Sequence, residues 1–425
     1  MRITCYNDQE KLCLGVRISV EYQDSLEGLS HEKISSYIIG YGIRGCADPS
    51  VDETTESVET SRESAVGSSM ESISRPEEEE ETVVSFMGVG DNLIHGVIYK
   101  DAELEDGSYD FKPMFANITE EIEAADLAFI NQETLLGGDE FGFSGYPAFN
   151  TPSDMAKNLN GLGFDLVNGS TNHSLDKGTQ GVLNTLDIWE EQEDILFTGV
   201  FKNEEHRDTI PVIERDGLAF SFLAYTYGTN GIEPDASYRL NYFDEATITQ
   251  DIQRAKEMSD FVIVSAHWGD ENVFEPTEFQ TTNAQLFADL GVDVVIGTHP
   301  HVIQPVEWVE GKKGNETLVV YSLGNFLGSM VTEKNTLGGM ISFDFVSDGE
   351  QKTIENVDWT STVIHYEADP ANVAPTRRNF VVYPLEDYTE ELAEGHAING
   401  YKGNMITKER FQQMTEDVID AEFLE

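Results

Sequence analysis

Gly291-Val292-Asp293-Val294-Val295-Ile296-Gly297-Thr298-His299-Pro300-His301 decides the fold. Val294-Val295-Ile296 is the short apolar run of a buried strand. It breaks at Gly297 into a turn that carries two imidazoles two residues apart. Pro300 stiffens that turn, so both rings can be held toward one centre with less entropy to lose. Five further apolar runs end in polar clusters: Gly90-Asp91, Asn131-Gln132-Glu133, Asn172-His173, His267-Trp268-Gly269 and Gly324-Asn325. In an open α/β sheet, side chains at the carboxyl ends of the strands converge on one crevice. Acidic, amide and imidazole groups arriving there from separate strands make a metal site rather than a core. The spacing between clusters is long and irregular, so they assemble one site and are not repeats.

Working outward, strands are expected at Val83–Val89, Leu127–Ile130, Asp165–Val167, Ile195–Val200, Leu218–Tyr225, Phe261–Ser265, Val292–Ile296 and Thr317–Tyr321. Helices are expected at Met114–Ala125, Ser153–Leu162, Gly178–Glu190 and Phe279–Leu290. This alternation implies a mostly parallel or mixed sheet with helices on its faces. Further strand-like runs lie at Met340–Phe345 and Phe380–Tyr383, and Lys408–Phe423 reads as an acidic amphipathic helix or a tail. The division that follows is an N-terminal segment 1–46, a Ser/Thr/Glu-rich disordered linker 47–81, a domain 82–385 and an acidic helical tail 386–425.

With 79 acidic against 26 basic residues, the chain carries a formal charge of −53. That excess argues against nucleic acid, whose backbone needs clustered Lys and Arg. It suits a protein working in high salt or outside the cell, and an anionic substrate then needs a bound cation to offset repulsion. Cys5, Cys13 and Cys46 all precede residue 47, so the body has neither a disulfide framework nor a thiolate metal site. Residues 35–46 are mildly apolar and end in Gly45-Cys46. Two roles compete for Cys46: a lipid anchor behind a degenerate export signal, and an ordinary free cysteine.

The clusters divide by chemistry. His299 and His301 form the most specific pair, and His267 joins them as a ligand. His299 is expected in a surface loop, so that its loss spares the fold. Asn172 offers an amide oxygen, while His173 can protonate a leaving group if Asp176 orients its ring. An Asn-His turn capping the next helix is the competing role. Asp91 reads as a bridging or first-metal ligand, or else as an N-cap. Glu133 reads as a ligand, and Asn131, two residues before it, shares its face of the chain. His95, Asn131 and Asn325 are assigned to substrate contact or support of the ligands. Carboxylate, amide and imidazole donors without thiolate suit Mn²⁺, Zn²⁺ or Fe²⁺. The number of donors suits two ions, a centre that activates water against a phosphoryl group while His173 protonates the departing oxygen.

The set Gly90-Asp91-Asn92-Leu93-Ile94-His95, Asn131-Gln132-Glu133, Asn172-His173-Ser174-Leu175-Asp176-Lys177-Gly178, His267-Trp268-Gly269, Gly291 to His301 and Tyr321-Ser322-Leu323-Gly324-Asn325-Phe326 resembles the CapA-type proteins of poly-γ-glutamate capsule biosynthesis. The resemblance runs over roughly 82–330. It implies a fold similar to the calcineurin-like metallophosphoesterases, an α/β sandwich of two mixed sheets flanked by helices. It also implies Asp91, Glu133, Asn172, His267, His299 and His301 as metal ligands and His173 as proton donor. The implied partners are a poly-γ-glutamate synthase complex or an anionic polymer, at the cell surface or membrane. Two departures stand out: His95-Gly96 replaces an Arg that many relatives carry, and the strong hydrophobic N-terminal anchor is missing. Two other functions compete, a secreted dinuclear phosphoesterase and a binding module that keeps the pocket without chemistry.

Overall fold

The computed structural model of the protein describes residues 2–6, 15–19 and 81–424. β1 (Arg2–Tyr6) and β2 (Gly15–Ser19) pair antiparallel as a unit of their own. Cys46 and the expected linker, save its last residue, lie outside the described residues. The larger unit contains, in chain order, β3 (Thr82–Asn92), β4 (Leu127–Asn131), β5 (Leu166–Asn168), β6 (Leu196–Thr198), β7 (Val212–Arg215), β8 (Leu218–Thr226), β9 (Phe261–His267) and β10 (Val294–Thr298). β11 (Ile303–Glu310), β12 (Glu316–Leu323), β13 (Asn325–Leu327), β14 (Leu337–Ser347), β15 (Lys352–Glu367) and β16 (Arg378–Pro384) follow.

These strands form two mixed sheets flanked by helices. One is six-stranded in the order β11-β12-β10-β9-β8-β7; the other is eight-stranded in the order β16-β15-β14-β3-β4-β5-β6, with β13 beside β3. The six-stranded sheet is parallel in its middle with antiparallel strands at both edges; the other is parallel from β3 to its edge at β6 and antiparallel from β3 through β14 and β15 to β16. β9 and β10 are buried at every position, because both faces of a parallel sheet are covered. The sheets meet across aromatic rings: Phe129 on Phe222 (5.9 Å between centroids), and Phe345 on Phe220 (4.9 Å) and Phe261 (4.7 Å). On the outer face of the six-stranded sheet, helices Glu245–Met258 and Glu278–Leu290 lay Ile248, Ile252, Ala284 and Phe287 against Val264 and Val295. The second helix opens with a reciprocal cap between Thr277 and Gln280. It stops at Gly291, whose φ of 82° is the left-handed cap that turns the chain into β10. Among the described residues no helix is long and apolar enough to cross a membrane.

Helix Glu245–Met258 is not among the expected elements, and two expected ones differ in the structure. The helix expected over Met114–Ala125 is a 3₁₀ turn, Lys112–Phe115, and a short helix, Thr119–Ala124. Its apolar period is sound, since Phe115, Ile118 and Ile122 are buried. Asn117, however, turns its side chain to Val382 O (3.3 Å), and Ile118 leaves helical geometry with φ −133°. At the other end, helix Lys408–Glu416 is no loose tail. Tyr388, Phe411, Met414, Ile419 and Phe423 all join the main core.

Candidate metal centre

The carboxyl ends of the parallel strands supply the centre, and their register aligns them. Asn325, Asp91, Asn131 and Asn168 are lateral neighbours in the eight-stranded sheet. Thr226, His267 and Thr298 are neighbours in the other. Gly90 permits a close approach: a Cβ there would lie 2.0 Å from Gly324 O, the carbonyl that accepts the Asp91 N–H at 2.9 Å.

A row of amides leads to Asp91. Ser170 N–H donates to Asn168 Oδ1 (2.7 Å), Asn168 Nδ2 to Asn131 Oδ1 (2.8 Å), and Asn131 Nδ2 to Asp91 Oδ1 (2.7 Å). His299 N–H donates to the same oxygen at 3.2 Å. Asp91 Oδ2 lies 2.9 Å from His301 Nδ1, and Asn325 Oδ1 lies 3.1 Å from that nitrogen. Two acceptors at Nδ1 keep a proton there, so in the neutral ring Nε2 holds the lone pair. Nε2 faces Glu133 Oε1 at 3.6 Å. Asp91 and Asn325 therefore stand behind His301, on the other ring nitrogen from Glu133.

Glu133, His299 and His301 each offer one donor atom within 4.8 Å of the others, and all three are buried. Both Glu133 oxygens and His299 Nδ1 lack a hydrogen-bond partner. Such an atom costs roughly 1–3 kcal/mol when buried, so three together fit a cation-binding group. Burial pushes the Glu133 carboxyl well above its usual range. Burial also works against charge on His301, yet Glu133 and Asp91 carry it up to about 10. Both shifts favour a proton within this buried cluster, and divalent cations displace such protons on binding.

His299 and His301 are only 3% exposed, and their φ angles are 96° and 57°. His299 is thus not in the expected surface loop; its ring is buried on a left-handed backbone that disfavours side chains. Its ring centroid lies 4.8 Å from that of His267, 5.8 Å from that of His301 and 4.6 Å from that of Tyr227. His267 Nδ1 meets Thr298 Oγ1 at 2.9 Å, and Nε2 meets Asn172 Oδ1 at 3.1 Å. Burial first, then the neighbouring histidines, hold His267 and His299 well below the usual imidazole range. Neutral imidazole is the form that ligates metals.

His173 and Asp176 form a dyad beside the cluster, with Nδ1 2.8 Å from Oδ2. The same Asp176 oxygen accepts the Phe149 N–H at 2.7 Å, and the Phe149 ring meets His173 edge-on at 4.6 Å. The His95 ring also meets Phe149 (5.4 Å between centroids), its Nδ1 lies 3.0 Å from Leu93 O, and burial pulls it down to about 4. Four contributors escape sequence reasoning: Asn168, Thr298, Tyr227 and Phe149. Asn168 had a signal, since it is the end of β5, four residues before the Asn172-His173 cluster. Thr298 and Tyr227 are revealed only by register, and Phe149 only by packing.

The description "Bacterial capsule synthesis protein PGA_cap" fits residues 85–330, more than half of the 425-residue chain. The chain belongs to the PGA_cap family. That PGA_cap region takes in every residue of the centre from Asp91 to Asn325 and ends before β14. Two relatives are similar over much of it. The "PGA biosynthesis protein CapA" of Bacillus subtilis (strain 168) is 28% identical over 234 residues, 52% of this chain and 57% of that protein. The "Capsule biosynthesis protein CapA" of Bacillus anthracis is 28% identical over 183 residues, 41% of this chain and 42% of that protein. The chain thus spans about half the length of the curated relatives it matches. Among solved structures, the calcineurin-like phosphoesterase YfkN from Bacillus subtilis is similar at TM-score 0.40 and 14% identity, over 66% of this chain and 91% of that chain. A hypothetical protein from Thermus thermophilus is similar at 0.39 and 17%, over 65% and 99%. At such TM-scores these likenesses carry no argument; the two-sheet architecture rests on the strands themselves.

Proposed function

We propose that this PGA_cap protein serves capsule polymer biosynthesis of the poly-γ-glutamate type at the cell surface, through a centre of divalent cations. The observation that carries the metal reading is the meeting of unpartnered Glu133 and His299 atoms with His301 Nε2 in a buried cluster. Glu133, His299 and His301 would hold one ion. Asn172 and His267, already in mutual contact, would serve a second beside His299. The donor mixture suits Mn²⁺, Zn²⁺ or Fe²⁺. Bound ions supply Lewis acidity and activated water. The chain's own part is positioning: Asp91 and Asn325 fix the tautomer of His301, and Thr298 holds His267. Purified protein should contain divalent metal by plasma mass spectrometry, and Glu133→Gln or His301→Ala should reduce it at least ~10-fold. Unchanged stoichiometry in both variants refutes the centre. Restoration of polymer output in a bacterium lacking its CapA tests the biological role.

The His173–Asp176 dyad favours a second reading, metal-dependent cleavage of a phosphate ester. Asp176 orients the imidazole so that the opposite nitrogen can protonate a leaving oxygen. Turnover of p-nitrophenyl phosphate with Mn²⁺ that disappears in His173→Ala supports it. Metal without turnover points back to polymer handling or to binding alone.

A further inference from the structure

The donor groups of the centre are hidden: Glu133, Asn172, His173, His267, His299 and His301 are each 6% exposed or less. Tyr227 touches two of them and is itself 42% exposed. Its ring centroid lies 4.6 Å from that of His299, and it stacks on His267 at 6.3 Å with 16° between the planes. One side of the phenol therefore belongs to the centre and the other to solvent.

The backbone fixes it there. Tyr227 N–H donates to His267 O at 3.0 Å, and Thr226 Oγ1 donates to Gly228 O at 3.0 Å. Thr229 Oγ1 then ties the loop to Ile232 O at 2.6 Å. Asn230, at φ 53°, brings its Nδ2 to 3.5 Å from His173 Nδ1 and its Oδ1 to 3.5 Å from Asn172 Nδ2. The loop thus meets His299 and His267 through Tyr227, and the Asn172-His173 pair through Asn230. The Asn172 amide also neighbours the Tyr227 hydroxyl as a hydrogen-bond donor. An oxygen that accepts there keeps its own proton for a ligand.

Fixed charge beside Tyr227 is negative. Asp270 and Glu271, both exposed, follow directly on the His267-Trp268-Gly269 turn and act on Tyr227 electrostatically. Lys177, close in sequence to His173, is engaged by Ser144 Oγ and Ala148 O. A cation beside those carboxylates would pair with them, whereas a phenol donates without doing so and holds its proton at neutral pH. We propose that the Tyr227 hydroxyl is a substrate contact: a neutral hydrogen-bond donor to an oxyanion, phosphate or carboxylate, held at the centre. The proposal rests on the metal reading above and names the group that meets the ligand's free oxygen.

Calorimetric titration of the Mn²⁺-loaded full chain with inorganic phosphate, and separately with acetate, provides the test. Tyr227→Phe keeps the ring on His299 and His267 and removes only the hydroxyl. It should weaken one or both anions about 10-fold or more, with metal content and circular dichroism unchanged. The anion that loses affinity identifies the oxyanion served. Paramagnetic relaxation of its nuclei by the bound Mn²⁺ should place it at the centre in wild type. An anion bound out of reach of the ion overturns the contact, as do equal affinity in Tyr227→Phe and metal-loaded wild type that binds neither anion. Metal lost from Tyr227→Phe overturns it too, since the hydroxyl then supports Asn172 instead. Affinity lost in Tyr227→Leu but kept in Tyr227→Phe assigns the effect to ring packing and likewise overturns it. Wild type without metal refutes the centre, and the contact falls with it; metal-loaded wild type with an unaltered Tyr227→Phe refutes the contact alone.

Discussion

Asp91 is a buried carboxylate that meets His301 on the ring nitrogen away from Glu133. Its oxygens accept from Asn131 and from the His299 backbone and sit against His301 Nδ1. An amide at 91 whose oxygen still accepted from Asn131 would aim its NH₂ at His301. That would drive the imidazole proton to Nε2, the nitrogen that faces Glu133. Asp91→Asn should therefore cost ~10- to 100-fold in metal affinity with little change in volume. Competition against a chelator measures this, and undiminished affinity would remove Asp91 from the centre. The donor types were legible from the sequence, because acid, amide and imidazole side chains directly follow apolar runs. Which nitrogen of His301 faces Glu133 was not. That depends on Asp91, Glu133 and His301, which lie far apart in the chain and meet only through strand register.

Strands were legible where both faces are buried, as at β9 and β10, since an unbroken apolar run has few other uses. Elements whose limits depend on a single side-chain contact were not, as the break at Asn117 and Ile118 shows. Between β10 and β12 the spacing depends on Gly297, where a Cβ would lie 2.0 Å from Tyr321 O and 2.7 Å from Trp268 Nε1. A backbone carbonyl inside a sheet cannot yield as a flexible side chain does. Gly297→Ala should cost the upper part of the ~1–3 kcal/mol range for overpacking, read from urea unfolding. Gly395, a helix position with open space around it, provides the contrast: Gly395→Ala should be neutral or stabilising by up to ~1 kcal/mol. Equal effects at the two positions would show that the close packing is not limiting.

At the scale of the whole molecule, the fold reaches beyond the segment that carries the family likeness. Periodicity at Lys408–Phe423 announced an amphipathic helix, but sequence alone does not say what such a face packs against. The structure answers with Phe411, Met414, Ile419 and Phe423 in the main core. Removing residues from 386 onward should therefore abolish cooperative unfolding, with loss of near-ultraviolet circular dichroism. A shortened chain that still unfolds in one sharp step would return that segment to the status of an appendage.

The left-handed backbone at His299 and His301 has a consequence over generations. Glycine is the residue most at ease at such angles, so a histidine at either place carries a local cost that glycine would not. A descendant freed from its chemistry would drift toward glycine there and become sturdier for it. Imidazoles surviving at these two places in an otherwise diverged sequence would mark a lineage in which the centre is still at work.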